Sequence, residues 1–123
     1  MTARTFIVHD DPTFSQDVRS ALEAAGHTVA VFDDPMVALD ALEERRIALL
    51  ITRVNFGPGK LNGIALARML RLKRPDVRVI FTAIPEHEHH AWGLGEFLAA
   101  PVRVDDVVEL AQKLLQPSSE NQM

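Results

Sequence analysis

Apolar residues follow two alternating patterns along the chain. Short apolar runs, typical of buried strands, cover 6–8, 28–32, 47–52, 77–82 and 97–98. After these runs, apolar residues recur every three or four positions, which predicts helices over 12–25, 35–45, 62–74 and 104–115. The stretch 85–95 has room for only a short helix. Five strand–helix units predict a parallel sheet with helices on both faces.

Polar residues mark where these helices begin and end. Asp11-Pro12 and Asp34-Pro35 each place a side-chain acceptor before a proline, an order favoured at helix starts. Asn62 predicts a third cap of this kind, and Gly26 is suited to end the first helix.

The composition is that of an ordinary globular protein of 123 residues, 47% hydrophobic and 24% charged. We expect one domain over 1–116 and a polar, disordered tail over 117–123. The net charge of −4 gives no general attraction to nucleic acid. A basic stretch is interpreted as a solvated helix face: Arg68, Arg71, Lys73 and Arg74.

Three features that the sequence lacks narrow the class of protein further. The chain has no cysteine, which excludes thiol chemistry and sulfur-ligated metals. It also shows no signal peptide and no apolar run of membrane-spanning length. We therefore expect a cytoplasmic protein with neither a membrane nor a nucleic-acid partner.

The candidate site lies at one edge of the predicted sheet. In open α/β sheets, sites form beyond the carboxyl ends of the strands. The residues expected at that edge are Asp10, Asp11, Arg53, Thr82, Ala83, Ala100 and Pro101. If the first and third strands are neighbours, the guanidinium of Arg53 faces two carboxylates.

Four motifs, in order and spacing, resemble the receiver domains of bacterial two-component response regulators. They are the acidic pair Asp10-Asp11, the pair Asn62-Gly63, the step Thr82-Ala83, and the segment 97–102, which resembles a Phe-Leu-x-Lys-Pro-Phe ending. The resemblance covers roughly 4–116. It implies a flavodoxin-like, doubly wound, five-stranded parallel sheet of order 2-1-3-4-5, with the fourth helix shortened here.

The resemblance also implies a chemistry that this chain does not fully match. In the family, an aspartate accepts phosphate from a histidine kinase, the acidic pair holds Mg²⁺, and a threonine and a lysine hold the phosphoryl group. Asp10, Asp11 and Thr82 match the pattern, but Arg53 falls on the phosphoacceptor and Ala100 on the lysine. Because a guanidinium offers no carboxylate, we predict a degenerate pocket, no enzymatic activity and no cofactor. Mg²⁺ binding is expected to be weak or lost, with Asp10 and Asp11 as weak candidate ligands.

The joint presence of Arg53 and Ala100 suggests how the pocket is balanced. Arg53 can pair with Asp10 or Asp11, through one hydrogen bond or bidentately, and so replace both the metal and the lysine with a fixed internal cation. The alternatives are that Arg53 points into solvent, that Asp11 is only a helix cap, and that Thr82 binds nothing. A functional phosphoacceptor that uses Asp10 or Asp11 is the alternative function.

By analogy with the family, we predict a stand-alone pseudo-receiver that acts through a protein partner or a homodimer. The partner would be a histidine kinase, a regulator or another signalling protein. The expected surface includes Trp92, Phe97 and the exposed face of the last helix. Phe97 falls on the family's aromatic switch position, although core packing is the simpler interpretation here.

Two other segments suggest ligands. The histidine segment, with His87, His89 and His90, is an alternative metal or ligand module, but Ala91 stands where a zinc-protease motif requires histidine. The glycine-rich stretch 57–63 lies between a strand and a helix, yet it lacks the residues of both the dinucleotide and the P-loop fingerprints. Its glycines and proline are explained by a turn.

Overall fold

A computed structural model describes residues 4–116. The strands are β1 (Thr5–Val8), β2 (Val29–Phe32), β3 (Leu49–Arg53), β4 (Arg78–Ala83) and β5 (Glu96–Ala99). The helices are α1 (Pro12–Ala24), α2 (Pro35–Leu42), α3 (Gly63–Lys73) and α4 (Val104–Leu115), and a 3-10 helix (Pro85–Ala91) lies between β4 and β5. The disordered tail expected over 117–123 falls outside the described residues.

The five strands form one parallel sheet in the order β2-β1-β3-β4-β5, which confirms the predicted fold. Alternate side chains of the central strands face opposite sides. On one side, Phe6, Leu50 and Phe81 pack against α2 and α3. On the other side, Ile7, Ile51 and Ile80 pack against α1 and α4. Because both faces are covered, the central strands carry apolar side chains on both faces, as the sequence indicated.

Side-chain caps start three of the helices at the predicted residues. Asp11 accepts hydrogen bonds from the first turn of α1, Asp34 from that of α2, and Asn62 from that of α3. After α1, Gly26 has a φ of +98°, a left-handed conformation that glycine adopts without strain. These capping residues therefore fix the positions at which the loops at the sheet edge end and the helices begin.

Three expectations about local structure need correction. The helix expected over 35–45 ends at Leu42, because residues 43–46 are all exposed and offer no apolar side chain to bury. The third strand begins at Leu49 rather than at 47 and includes Arg53. The basic stretch is not simply a solvated face, since Arg71 donates to the Leu94 carbonyl and Arg74 to the Leu42 carbonyl, at 2.8 and 3.0 Å.

Within residues 4–116, no helix has both the length and the apolar character needed to cross a membrane.

Candidate functional site

Arg53 is the last residue of β3 and reaches across to the end of the neighbouring β1. Its Nη1 donates to Oδ1 of Asp10 at 2.7 Å, and about two-fifths of each side chain is exposed. Parallel pairing of β1 with β3 brings the two strand ends together, as the sequence predicted. The interpretation in which Arg53 points away into solvent is therefore wrong, and the contact joins one nitrogen to one oxygen rather than being bidentate.

The backbone at Arg53 is held by a close approach from the start of α3. A Cβ atom on Gly63 would collide with the Arg53 carbonyl oxygen, so only glycine fits at position 63. The Gly63 amide also donates to the Val54 carbonyl at 2.8 Å. The Asn62-Gly63 pair thus starts α3 with its asparagine and fixes the end of β3 with its glycine.

Asp11 does not share the ion pair of Asp10. Its Oδ1 accepts hydrogen bonds from the backbone amides of Thr13 and Phe14, at 3.0 and 3.3 Å. The carboxylate therefore caps α1, as the simpler interpretation of the sequence held. The two acidic neighbours have separate roles, one as an ion-pair partner and one as a helix cap.

His9 is a site residue that the sequence analysis missed. The backbone N–H of Asp11 donates to His9 Nδ1 at 3.1 Å, so this nitrogen serves as an acceptor. The ring lies 4.5 Å, centroid to centroid, from Phe14. Burial lowers the pKa of His9, and the Arg53 guanidinium lowers it further, against the opposing effect of Asp10 and Asp11. Its position directly before the acidic pair was the only signal.

Thr82 and Ala100 line a small depression next to Arg53. The depression has a volume of about 210 Å³, and Asp11 and His9 also line it. Thr82 pairs with Arg53 in the sheet register and is almost fully buried, and its hydroxyl has no hydrogen-bond partner within residues 4–116. The residues expected at this edge are thus brought together, with Thr82 unengaged.

The predicted partner surface is divided between an exposed and a packed aromatic residue. Trp92 follows the 3-10 helix and is 75% exposed. Phe97 on β5 is half-buried and packs against the core on the α2–α3 side. On α4, Val107 and Ala111 are buried against the sheet. Trp92 therefore offers far more accessible aromatic surface than Phe97.

The histidine segment forms the 3-10 helix, and its rings lie against one another in tilted contacts. The ring centroids of His89 and His90 are 3.9 Å apart, and those of His87 and His90 are 5.9 Å apart. In the part of the chain that the structure describes, no group of three or more His, Cys, Asp or Glu side chains is placed to hold a metal ion. The geometry gives no support to a metal site in this segment.

The family model for the response regulator receiver domain matches residues 5–112. The chain therefore belongs to the receiver family of two-component signalling, whose members are generally signalling modules. The response regulator receiver protein CpdR of Brucella abortus (strain 2308) is 27% identical over 117 residues, which cover 91% of this chain and 96% of that protein.

Solved structures show the same fold at low identity. The receiver domain of NtrX from Brucella abortus has a TM-score of 0.78 at 22% identity, covering 93% of this chain and 99% of that one. Chemotaxis protein CheY4 of Vibrio cholerae has a TM-score of 0.79 at 21% identity, covering 94% and 100% of the two chains. The BeF3-activated DrrB receiver domain has a TM-score of 0.80 at 20% identity, covering 95% and 100%.

The residues at this edge fit poorly with the Mg²⁺ that the family resemblance implies. Mg²⁺ prefers several hard anionic oxygens in octahedral geometry. Here one oxygen of Asp10 is bound to a guanidinium, and one oxygen of Asp11 is bound to two backbone amides. At the third acidic position of the family pattern, the chain provides the positive charge of Arg53.

Proposed function

We propose that this receiver does not accept phosphate at the usual position and acts as a cytoplasmic pseudo-receiver through protein–protein interaction. The observation that carries the proposal is the contact of 2.7 Å between Arg53 Nη1 and Asp10 Oδ1. This contact places a permanent cation where the family pattern has a nucleophilic carboxylate. A guanidinium neither accepts a phosphoryl group nor releases its proton at ordinary pH.

Electrostatics supports weak Mg²⁺ binding. A metal ion bound to Asp10 would lie within about 5 Å of the guanidinium, since metal–oxygen bonds are about 2.1 Å long. At an effective dielectric constant of about 20, the repulsion is roughly 6–7 kcal/mol. Even if solvent screening halves this value, the affinity falls by about 100-fold or more.

The alanine at position 100, where the family has a lysine, is consistent with the Arg53–Asp10 contact. Arg53 already supplies the positive charge beside Asp10, and a lysine at position 100 would add a second cation to the depression that both positions line. We therefore interpret Arg53 and Ala100 as one joint change, in which an internal cation replaces both the metal and the lysine. The family's signalling role is then kept by the scaffold and its surface.

Phosphorylation tests the proposal directly. The wild-type chain and the double variant Arg53→Asp, Ala100→Lys are incubated with acetyl phosphate and Mg²⁺, and intact mass is measured. We expect no phosphorylated species of the wild-type chain and a phosphorylated species of the double variant. Beryllium fluoride with Mg²⁺, followed by ¹H–¹⁵N spectra, gives a second readout. Phosphate on Asp10 or Asp11 of the wild-type chain would contradict the proposal.

Arg45→Asp is a matched control for the change of charge. Arg45 is exposed and lies in the turn after α2, away from the carboxyl edge of the sheet. This variant carries the same change of charge as the Arg53→Asp substitution of the double variant, but it adds no carboxylate to the depression. It should remain unphosphorylated, which separates a restored site from a general effect of negative charge.

Trp92 is the residue of the proposed partner surface that is best placed for contact. Exposed tryptophan is enriched at the energetic centres of protein interfaces. Sedimentation of the wild-type chain and Trp92→Ala distinguishes a homodimer, which the variant would weaken, from a chain that binds a different signalling protein. Leu72→Ala is a control, because Leu72 is also exposed, at 86%, but lies on α3.

A further inference from the structure

A groove separates α3 from the 3-10 helix, next to the loop that follows β3. Its volume is about 490 Å³, within the range of small-molecule sites. Ile64 and Met69 contribute an apolar floor, and Met69 is 41% exposed although it is hydrophobic. The 3-10 helix packs mainly on β4 and β5 and only slightly on α3, which leaves the space between them open.

The polar lining of this groove is basic on one side. Arg68 of α3 faces His87 and His90 of the 3-10 helix, and the amides of Asn55 and Asn62 lie at the end nearest β3. No carboxylate lines the groove within residues 4–116, although Glu86 and Glu88 belong to the same short helix. The groove therefore combines an apolar floor with hydrogen-bond donors and positive charge.

Arg68 differs from the other basic residues of α3. Arg71 and Arg74 donate to backbone carbonyls, and Lys73 pairs with Glu43. Arg68 makes no side-chain hydrogen bond or ion pair within the described part of the chain. It lies close enough to His90 to help lower the pKa of that imidazole, after loss of hydration and the two neighbouring histidines. Positive charge in the groove is thus left without a negative partner.

We propose that this groove binds a small organic anion with an apolar body and a carboxylate or phosphate group. The apolar body packs on Ile64 and Met69, and the anionic group accepts hydrogen bonds from Arg68 and from the imidazoles of His87 and His90. A planar guanidinium suits both head groups, because each can accept two parallel hydrogen bonds. The inference does not depend on the loss of phosphoryl chemistry at Arg53.

Titrations followed by ¹H–¹⁵N spectra test this binding. The probes are 3-phenylpropionate, phenyl phosphate, the neutral 3-phenylpropanamide, and inorganic phosphate. We expect both aromatic anions to shift signals within 54–69 and 85–91, and to bind about tenfold or more tightly than the amide or inorganic phosphate. The tighter of the two anions identifies the preferred head group. Equal affinity for the amide, or shifts confined to other regions, would overturn the proposal.

Variants at the basic side provide the matched comparison. Arg68→Gln should weaken the binding of both anions about tenfold or more, whereas Arg45→Gln, at another exposed arginine, should leave it unchanged. Arg68→Lys keeps the charge and should retain part of the affinity. Because Arg68 is exposed, these changes should not disturb folding, and each variant's own spectrum verifies that. Unchanged affinity in Arg68→Gln would refute the assignment.

A pH comparison tests the two histidines separately. The charged groups that face His90 are Arg68 from α3 and His87 and His89 from its own helix. Protonation of an imidazole adds positive charge at the groove, so 3-phenylpropionate, whose carboxylate stays ionised at both values, should bind more tightly at pH 5.5 than at pH 8. Phenyl phosphate is left out of this comparison, because its second ionisation lies at about pH 6. The double variant His87→Gln, His90→Gln should lose this difference. Its persistence would argue against a role for the imidazoles.

Discussion

The two halves of the sheet's carboxyl edge differ in how many of their polar groups have hydrogen-bond or ion-pair partners. In the half at the ends of β1 and β3, called here the closed half, Arg53 pairs with Asp10, Asp11 caps α1, and His9 accepts from the Asp11 amide. In the half at the ends of β4 and β5, called the open half, the Thr82 hydroxyl has no partner within residues 4–116, and the 3-10 helix that leaves β4 is followed by the exposed Trp92. The polar side chains of the closed half thus bind one another or the backbone, whereas the open half keeps an unpaired hydroxyl among the described residues.

The difference between the two halves comes from the charge of Arg53 and from the shortness of the 3-10 helix. A guanidinium beside a carboxylate satisfies the closed half without any ligand. In the open half, the short 3-10 helix contacts β4 and β5 but leaves a groove against α3. The Arg53–Asp10 contact thus satisfies one strand end within the chain, whereas the 3-10 helix between β4 and β5 leaves a groove open beside α3.

The largest expected effect comes from returning an anion to the closed half. In Arg53→Asp, the affinity for Mg²⁺ should rise by about 100-fold or more, because a repulsive cation is removed and a third carboxylate is added. Isothermal titration with Mg²⁺ at constant ionic strength measures the change. Arg53→Gln removes the charge alone and should give an intermediate affinity. Equal Mg²⁺ affinities in the wild-type protein, Arg53→Asp and Arg53→Gln would show that Arg53 is not what weakens metal binding at this edge.

The next effect compares Gly63, which lies against the end of β3 in the closed half, with Gly93, which lies in the loop between the 3-10 helix and β5. Gly63→Ala should reduce the free energy of unfolding by about 2 kcal/mol, because the new methyl group meets the Arg53 carbonyl. Gly93→Ala should cost only about 1 kcal/mol, since Gly93 has a φ of +81° but open space around its Cα. Urea denaturation measures both. A larger cost at Gly93 would show that the close approach of Gly63 to the Arg53 carbonyl is not the stronger of the two constraints.

Lowering the pH should reduce the free energy of unfolding through His9, which lies in the closed half. Burial and the nearby Arg53 lower its pKa in the folded protein, so the unfolded chain takes up the proton first as the pH falls. The free energy of unfolding should therefore be maximal above the unfolded pKa of 6.5 and decrease below it. Urea denaturation at pH 7.5 and 5.5 measures the decrease. His9→Asn keeps an acceptor that does not titrate in this range and should show a smaller decrease, whereas an identical one would exclude His9 as the cause.

The sequence predicts the fold almost completely and the site in part. Apolar runs locate all five strands to within about two residues, and polar caps locate the starts of α1, α2 and α3, because burial on both sheet faces and the need to satisfy helix amides leave few alternatives. The approach of Arg53 to the acidic pair follows from strand order. What the sequence left open is which carboxylate Arg53 binds, because that depends on Asp11 being engaged by the Thr13 and Phe14 amides.

His9, Arg68 and the groove could not be predicted for a different reason. A histidine after a strand and an arginine on a helix are common, and their significance depends on neighbours distant in sequence. In the sequence Arg68 resembles its basic neighbours, and the bonds of Arg71 and Arg74 to backbone carbonyls set it apart. The groove arises because the 3-10 helix packs mainly on β4 and β5 rather than on α3, which periodicity does not encode.

The smallest expected effect concerns the Arg53–Asp10 pair itself. Both side chains are more than two-fifths exposed, so solvent competes for each of them. A double-mutant cycle with Arg53→Ala and Asp10→Ala should give a coupling energy of only about 0.2–1 kcal/mol, decreasing further in high salt. Urea denaturation of the four proteins supplies the values. The contact would then determine which chemistry the closed half permits while contributing little to folding, and a coupling above about 2 kcal/mol would instead make it a structural element like Gly63.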